Sequence, residues 1–258
     1  MSIKVGMVGA TGMVGETFFS LMEQRDFPFS EIRAFASEKS VGKTISISGQ
    51  TFPIETLSEG CFDGLDVVFF SSGDDISLEW APKAVAAGAF AIDNSAAFRM
   101  NPNYPLVVPE INAHQIPDRS QPRIIANPNC STIQLVMALA PLKEWGLKEV
   151  RVSTYQAVSG AGKAAQQELK AQVEQLAKDP SHKPHAENFA HPIAYNCLPH
   201  IGSFNELGFC SEEMKIMKET RKILEMPQLK TSAFTVRVPA LNGHAEAAWV
   251  TLDQEVSQ

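Results

Sequence analysis

Short apolar runs alternate with helical patterns along the first half of the chain. The strand-like runs are Ile3–Val8, Ile32–Ala36, Val67–Ser71, Ala89–Asp93 and Ile124–Ala126. Between them, Met13–Met22 and Leu78–Ala87 have the spacing of helices. The first helix is predicted to turn an apolar stripe toward the sheet, formed by Val14, Phe18, Leu21 and Met22. This alternation predicts an α/β fold with a doubly wound parallel sheet.

The pattern changes after Cys130, which indicates a second domain. A helix is predicted through Trp145, and Ser211 is predicted to be the N-cap of a later helix. The other elements predicted here are a strand over Val150–Val158, a helix over Lys163–Lys178, and strands over Thr231–Val238 and Ala247–Leu252. We therefore expect an α+β domain after the doubly wound one.

Composition and charge exclude several classes of protein. The 258 residues include 22 basic and 29 acidic side chains, with a net charge of -7. That balance gives no general attraction for nucleic acid or for an anionic membrane surface. No apolar run reaches the roughly 20 residues of a membrane helix, and no signal peptide is apparent, so we expect a cytoplasmic protein. The four cysteines form no Cys-x-x-Cys pair, which predicts free thiols and no metal site.

A glycine-rich turn follows the first strand and opens the first helix. Its backbone N–H groups and the helix N-terminus suit a dinucleotide diphosphate, although such a turn could also be only a tight connection. The predicted cofactor contacts in this turn are Gly9, Thr11, Gly12, Met13 and Val14. Ser71, at the end of a later strand, is also predicted to contact the cofactor.

The loop after the second strand bears on the choice between NAD and NADP. It lacks the acidic residue that would bind an NAD ribose directly after the strand. Ser37, Lys39 and Ser40 instead offer donors for a 2'-phosphate, which favours NADP. Glu38 lies among them, and the alternative is a solvated surface turn.

One cysteine is a candidate nucleophile. Asn129 and Cys130 connect a strand to an apolar helix, so the thiol lies near a helix N-terminus. The helix dipole and first-turn N–H groups can lower a thiol pKa below its free value of about 8.5, and the backbone N–H groups around Asn129 and Cys130 can stabilise an oxyanion. A lone cysteine is more often a small buried apolar residue, and this alternative stays open on the local sequence alone.

Several motifs together resemble aspartate-semialdehyde dehydrogenases. They are Gly9-Ala10-Thr11-Gly12, Asn129-Cys130-Ser131-Thr132, Gln156-Ala157-Val158-Ser159-Gly160-Ala161-Gly162, Arg237-Val238-Pro239 and Gly243-His244. The resemblance implies a Rossmann-type NADP-binding domain over residues 1–130. It implies a catalytic and dimerisation domain over residues 131–258, and a homodimer or tetramer built through that domain, of which the homodimer is our prediction. Members of the family usually continue for several tens of residues, so we expect this chain to lack their C-terminal segment.

The resemblance also implies an activity. It is the reduction of L-aspartyl 4-phosphate to L-aspartate 4-semialdehyde by NADPH, with release of phosphate, through a thioester on a cysteine. This reaction serves the biosynthesis of lysine, methionine, threonine and diaminopimelate. The implied partners are therefore small molecules, with neither nucleic acid nor membrane involved.

The roles of individual residues follow from the same resemblance. Cys130 is the implied nucleophile, His244 the general acid/base and Gln156 the residue that orients the substrate. The implied substrate and phosphate contacts are Arg99, Asn129, Glu212, Lys215 and Arg237, and the implied nicotinamide contacts are Ser159 and Gly160. Without the resemblance, His244 would be interpreted as a loop or core histidine, and Glu212 with Lys215 as a surface ion pair. A turn at Asn242-Gly243 is predicted to bring the strand end back toward the site.

Two other functions remain as alternatives. N-acetyl-glutamyl-phosphate reductases share the glycine turn and the thiol chemistry, but usually have glycine before the cysteine and an aromatic residue after it. Asn129 and Ser131 argue against that assignment. The second alternative is a protein that binds NADP or dimerises without catalysis.

Overall fold

The structure is a computed structural model that describes residues 2–255. The chain forms two compact units, and the boundary lies between Pro128 and Asn129. Within residues 2–255, no helix is long and apolar enough to cross a membrane.

The first unit contains one large sheet. Its strands are β1 (Ile3–Val8), β2 (Phe29–Phe35), β3 (Thr44–Ile47), β4 (Gln50–Glu55), β5 (Val67–Phe70), β6 (Phe90–Asp93) and β7 (Ile124–Ala126). Its helices are α1 (Met13–Gln24), α2 (Asp74–Ala86) and the short α3 (Pro109–Asn112). The strand order is β3-β4-β2-β1-β5-β6-β7, and every pairing is parallel except β3 with β4. The predicted doubly wound, Rossmann-type sheet is confirmed.

This strand order defines where a ligand of the first unit should bind. From β1 the chain moves to β2 on one side, and it later returns to β5 on the other side. In open α/β sheets, ligands bind at the carboxyl end of the strand where the order reverses. The glycine turn directly after β1 occupies that position.

The strands β3 and β4 were not predicted from the sequence. They form an antiparallel hairpin whose residues are mostly exposed, so the apolar signal is weak. The turn between them is Ser48-Gly49, with both φ angles positive at 50° and 77°. Such a turn suits the twist of a two-residue hairpin, and the Ser-Gly pair was the available local signal.

The predicted apolar face of α1 was partly wrong. Val14 and Leu21 are 49% and 41% exposed, whereas Gly15, Phe19 and Met22 are buried. The cause is a close backbone contact, because a Cβ on Gly15 would lie 2.5 Å from the Gly9 carbonyl oxygen. That contact turns the Gly15 side of the helix toward the sheet.

The second unit contains a smaller sheet packed against helices. Its elements are α4 (Cys130–Leu139), β8 (Leu147–Gln156), α5 (Lys163–Lys178), α6 (Ser211–Ile223), β9 (Lys230–Arg237) and β10 (His244–Leu252). The strand order is β10-β8-β9, with β10 antiparallel and β9 parallel to β8. Helix α6 packs against β9, and α4 packs against α6. The expected α+β fold is confirmed.

Two predicted details of the second unit differ from the structure. The helix expected through Trp145 is α-helical only to Leu139 and continues as a 3₁₀ segment over Ala140–Trp145. Pro141 has no N–H with which to continue the α-helical pattern. The N-cap of α6 is Cys210 and not Ser211, because the Cys210 N–H donates to the Glu213 carboxylate at 2.8 Å in a capping box.

Substitution of Gly15 by alanine tests the close contact between α1 and the glycine turn. The added Cβ would meet the Gly9 and Ala10 carbonyl oxygens at 2.5 and 2.6 Å. We expect Gly15→Ala to lower the free energy of unfolding by about 1–3 kcal/mol through overpacking. Helix propensity alone predicts the opposite sign, since alanine is the better helix former.

Thermal unfolding measures this effect, with Gly12→Ala as the matched control. A Cβ on Gly12 has only the Gly9 oxygen nearby, at 3.3 Å, so that variant should lose less stability. A Gly15→Ala protein as stable as the parent would contradict the interpretation.

Candidate active site

Cys130 is the first residue of α4, as its sequence neighbours predicted. Asn129 is the N-cap, and its side-chain oxygen accepts the N–H groups of Ser131 and Thr132 at 2.9 and 3.2 Å. The Cys130 side chain is exposed. A thiol at this position faces the positive end of the helix dipole, which stabilises negative charge.

Three residues implied by the resemblance lie side by side on neighbouring strands. The register pairs His244 of β10 with Gln156 of β8, and Gln156 with Arg237 of β9. Arg237 and His244 are therefore not joined by a simple hairpin, because β8 lies between their strands. We refer to His244, Gln156 and Arg237 as the strand-end row.

Cys130 contacts one end of this row. Its Sγ lies 3.3 Å from Nε2 of His244. Nδ1 of His244 lies 3.0 Å from the Ala157 N–H, which can donate to it, and 2.9 Å from the Gly243 carbonyl, to which it can donate. The surroundings thus support a ring with the proton on either nitrogen. In one form Nε2 donates to a thiolate, and in the other it accepts the thiol proton.

The protonation of His244 depends on its partial burial. Burial lowers its pKa below the ordinary 6.5, the Gly243 carbonyl raises it, and the positive charge of Arg237 lowers it further. The net direction is downward, so the imidazole is neutral at neutral pH. A neutral imidazole can accept a proton from the adjacent thiol.

Glu212 connects the strand-end row to the N-cap of α4. Its Oε1 accepts from Asn129 Nδ2 at 2.7 Å and from Gln156 Nε2 at 3.1 Å, and its Oε2 lies 3.3 Å from Lys215 Nζ. Burial raises the pKa of this carboxyl, but Lys215 and the two amide donors outweigh burial and leave the pKa below 4.5. Glu212 is therefore a buried carboxylate ion with partners on both oxygens.

The loop after β8 packs closely over the strand-end row. A Cβ on Gly160 would lie 2.9 Å from Nη1 of Arg237 and 3.7 Å from the His244 ring, so a larger residue would crowd both. Nη1 of Arg237 also donates to the Ala157 carbonyl at 2.8 Å. Ser159 lies in the same 3₁₀ turn, Val158–Ala161. Gly160 of this loop thus lies beside the predicted base, His244.

The glycine turn of the first unit has the shape expected for a dinucleotide site. Gly9 has φ of +92°, and a Cβ there would lie 2.4 Å from the Ser71 carbonyl oxygen. The N–H of Gly12 donates back to Gly9, while Met13 and Val14 begin α1. First-turn N–H groups have no acceptor within their own helix, so these two can serve a diphosphate.

The other predicted cofactor contacts extend from this turn. Thr11 Oγ1 lies 3.4 Å from Ser40 Oγ, which joins the glycine turn to the loop after β2. In that loop Ser37 and Lys39 are exposed, together with Glu38. The arrangement leaves a hydroxyl and an ammonium accessible beside the turn.

Two polar residues that were not predicted from the sequence as site residues follow neighbouring strands of the same sheet. Asn94 Nδ2 donates to Ser71 Oγ at 3.4 Å, and Asn127 Nδ2 donates to Asn94 Oδ1 at 2.8 Å. Each of them directly follows a strand, which was a usable sequence signal. Arg99 is buried in this first unit, where it donates to the Asn94 carbonyl at 2.9 Å.

Another missed residue is Glu219, on α6. It is 1% exposed, and its Oε2 accepts the backbone N–H of Asn129 at 2.7 Å. The Asn129 N–H, which the sequence suggested as an oxyanion donor, is therefore directed at this carboxylate. In the described part of the chain, no group of three or more His, Cys, Asp or Glu side chains is arranged to hold a metal ion.

Comparison with protein families gives two matches that together span most of the chain. Residues 4–119 match the semialdehyde dehydrogenase NAD-binding domain, and residues 139–258 match the semialdehyde dehydrogenase dimerisation domain. The first match confirms the prediction of a dinucleotide site in the first unit.

Curated relatives and solved structures agree with these matches. The aspartate-semialdehyde dehydrogenase of Aquifex aeolicus is 46% identical over 100% of this chain and 76% of its own length. The Bacillus subtilis enzyme is 40% identical over 98% of this chain and 74% of its own length. The crystal structure of aspartate semialdehyde dehydrogenase II from Vibrio cholerae, complexed with ASA, has a TM-score of 0.95 at 40% identity. It covers 99% of this chain and 76% of the Vibrio chain.

A more distant structure was determined with NADP. It is the aspartate semialdehyde dehydrogenase of Candida albicans, with a TM-score of 0.75 at 25% identity over 100% of this chain and 74% of the Candida chain. The family matches, the curated relatives and the solved structures agree with the motifs that carried the resemblance. This chain belongs to the aspartate-semialdehyde dehydrogenase family.

Proposed function

We propose that this chain reduces L-aspartyl 4-phosphate to L-aspartate 4-semialdehyde with NADPH, through a thioester on Cys130. The observation that carries the proposal is the 3.3 Å contact between Cys130 Sγ and His244 Nε2 at the start of α4. The reaction belongs to the biosynthesis of lysine, methionine, threonine and diaminopimelate. Because the nucleophile must stay reduced, we place the protein in the reducing cytoplasm.

In the first half-reaction the thiol becomes acylated. His244 accepts the Cys130 proton, and the thiolate attacks the acyl carbon of the substrate. The bond between that carbon and the phosphate oxygen breaks, and phosphate leaves with the bonding electrons. Gln156, fixed through Glu212, orients the carbonyl beside the thiol.

In the second half-reaction the acyl group is reduced. NADPH, when bound, supplies the hydride that adds to the thioester carbon. His244 donates its proton to the carbonyl oxygen, which gives a thiohemiacetal on Cys130. The carbon–sulfur bond then breaks, the aldehyde forms as His244 takes back the hydroxyl proton, and the thiolate is restored.

Charged side chains recognise the rest of the substrate. Arg237 presents a planar fork suited to the substrate carboxylate. Glu212 is ionised and suits the substrate ammonium, while Lys215 and Arg99 suit the phosphate. Asn129, the N-cap beside the thiol, completes this set.

The first unit binds NADP in this proposal. Gly9 and Gly12 let the backbone approach the diphosphate, and the α1 N-terminus at Met13 and Val14 offers N–H donors. The 2'-phosphate is recognised at the loop of Ser37, Lys39 and Ser40, where the hydroxyls and the ammonium lie. Ser71, Ser159 and Gly160 contact the rest of the cofactor.

The second unit also supports a homodimer. The outer face of its sheet exposes Tyr155, Phe234 and Trp249, and Trp249 is 63% exposed. Their register positions place all three on the same face, with small residues such as Ala245 and Ala247 between them. An exposed aromatic face is typical of an interaction surface. We infer that a second copy of this chain covers it.

Removal of the Cys130 thiol tests its role as the nucleophile. With L-aspartate semialdehyde, NADP and phosphate together, we expect continuous NADPH formation at 340 nm, and no steady-state turnover when any one of the three is omitted. Cys130→Ala should abolish turnover and leave NADP affinity nearly unchanged, because the glycine turn is intact. Cys197→Ala, at another exposed thiol, is the control and should keep activity. An active Cys130→Ala enzyme would rule out the thioester.

The dependence of the rate on pH tests the protonation of His244. The lowered pKa of His244 keeps its ring neutral until the pH falls below 6.5. We therefore expect kcat/KM for semialdehyde oxidation to fall on the acid side with a midpoint below 6.5, and this limb should vanish from the residual rate of His244→Gln. A midpoint above 6.5 would show that another group controls the limb.

A charge on the exposed sheet face of the second unit tests the homodimer. Trp249→Asp places a charge on the exposed sheet face and should convert the dimer to monomers, as measured by sedimentation at micromolar concentration. Leu78→Asp is the control, since Leu78 is 53% exposed on α2 of the first unit. A Trp249→Asp protein that remains dimeric would exclude this face as the interface.

A further inference from the structure

Helix α6 directs two buried carboxylates at a single residue. Glu212 and Glu219 are seven positions apart, so they lie on the same face of the helix. Glu212 accepts from the Asn129 side chain and Glu219 accepts from the Asn129 backbone, each at 2.7 Å. Both carboxylates are almost completely buried. Glu212 is one of the proposed substrate contacts, whereas Glu219 is not.

Asn129 is held at each of its polar groups. Besides the two carboxylates, its side-chain oxygen accepts from Ser131 and Thr132, and its backbone oxygen accepts the Ile133 N–H at 3.0 Å. These contacts fix both the position and the direction in which α4 begins. Cys130 is the next residue in the chain, so the position of its Sγ follows from the same contacts.

The Glu219 contact is the one that fixes the backbone of Asn129 from outside α4. A buried N–H that loses its acceptor is left with an uncompensated desolvation cost, so the chain would shift to find another partner. Such a shift moves Cys130 relative to His244, and a displacement of about 1 Å can reduce a rate by about 100-fold. The thiol would remain present but misplaced.

We propose that Glu219 is a positioning residue that holds the Asn129 backbone and thereby keeps the Cys130 thiol in contact with His244. Glu219 acts through Asn129 and does not touch the reacting atoms. The acceptor oxygen, and not the negative charge, carries this role. The inference rests on the proposed function of Cys130 as the nucleophile.

A matched series of variants tests this role. Glu219→Ala removes the acceptor, Glu219→Asp withdraws it by one methylene, and Glu219→Gln keeps an oxygen at the same reach. Glu213→Ala is the control, because Glu213 is also buried on α6 but accepts from Cys210 and Thr235 instead. Each protein is measured for thermal stability, for kcat and KM, and for the rate of Cys130 alkylation by iodoacetamide.

We expect Glu219→Ala to lower kcat by about 100-fold with little change in KM, and to slow alkylation of Cys130. Glu219→Gln should stay near the parent in both readouts, and Glu219→Asp should lie between them. Glu213→Ala should lose stability but keep the parent's alkylation rate and kcat. If Glu219→Ala does not fold, the proposal is still tested by whether Glu219→Gln has a higher kcat and a faster alkylation rate than Glu219→Asp.

Three results would overturn the proposal. They are a Glu219→Ala protein with the parent's kcat and alkylation rate, a Gln variant as impaired as the Asp variant, and a Glu213→Ala control with the same loss of thiol reactivity. The alkylation rate needs no substrate. It therefore distinguishes failure of the Glu219 role from failure of the proposed reaction. If the proposed reaction were wrong, no variant would turn over, but the order of Cys130 alkylation rates among the variants would remain as predicted.

Discussion

The buried carboxylate of Glu212 is the constraint on which the second unit depends. It is removed from water, yet it stays ionised because Asn129, Gln156 and Lys215 supply partners for both of its oxygens. Loss of any partner would leave a buried charge that is incompletely satisfied, which is costly. The start of α4, the end of β8 and the first turn of α6 are therefore held in one arrangement.

That arrangement brings residues that are distant in the sequence together in one site. The register of β10, β8 and β9 sets His244, Gln156 and Arg237 in a row, and α4 presents Cys130 to one end of it. The ordered surroundings of the thiol are thus built by secondary structure and not by a flexible loop. Groups that are held before the substrate arrives need little reorganisation during the reaction, which favours the rate.

Local sequence predicted the parts of this structure that depend on local physics. The bounds of β1 and β7, the glycine turn after β1 and the helix beginning at Cys130 follow from apolar runs, glycine and a capping asparagine. The β3–β4 hairpin was missed because it is mostly exposed, and the buried face of α1 was wrong because a tertiary contact at Gly15 sets it. Glu219 gave no local signal, since its partner Asn129 is 90 positions away.

The thioester on Cys130 is tested most directly by mass spectrometry of the protein after reaction with L-aspartate semialdehyde and NADP without phosphate. Without the acceptor, we predict that one aspartyl group accumulates on the peptide that contains Cys130, that about one NADPH forms per chain, and that added phosphate removes the group. An unmodified Cys130 in protein that is folded, reduced and active when phosphate is present would contradict the mechanism.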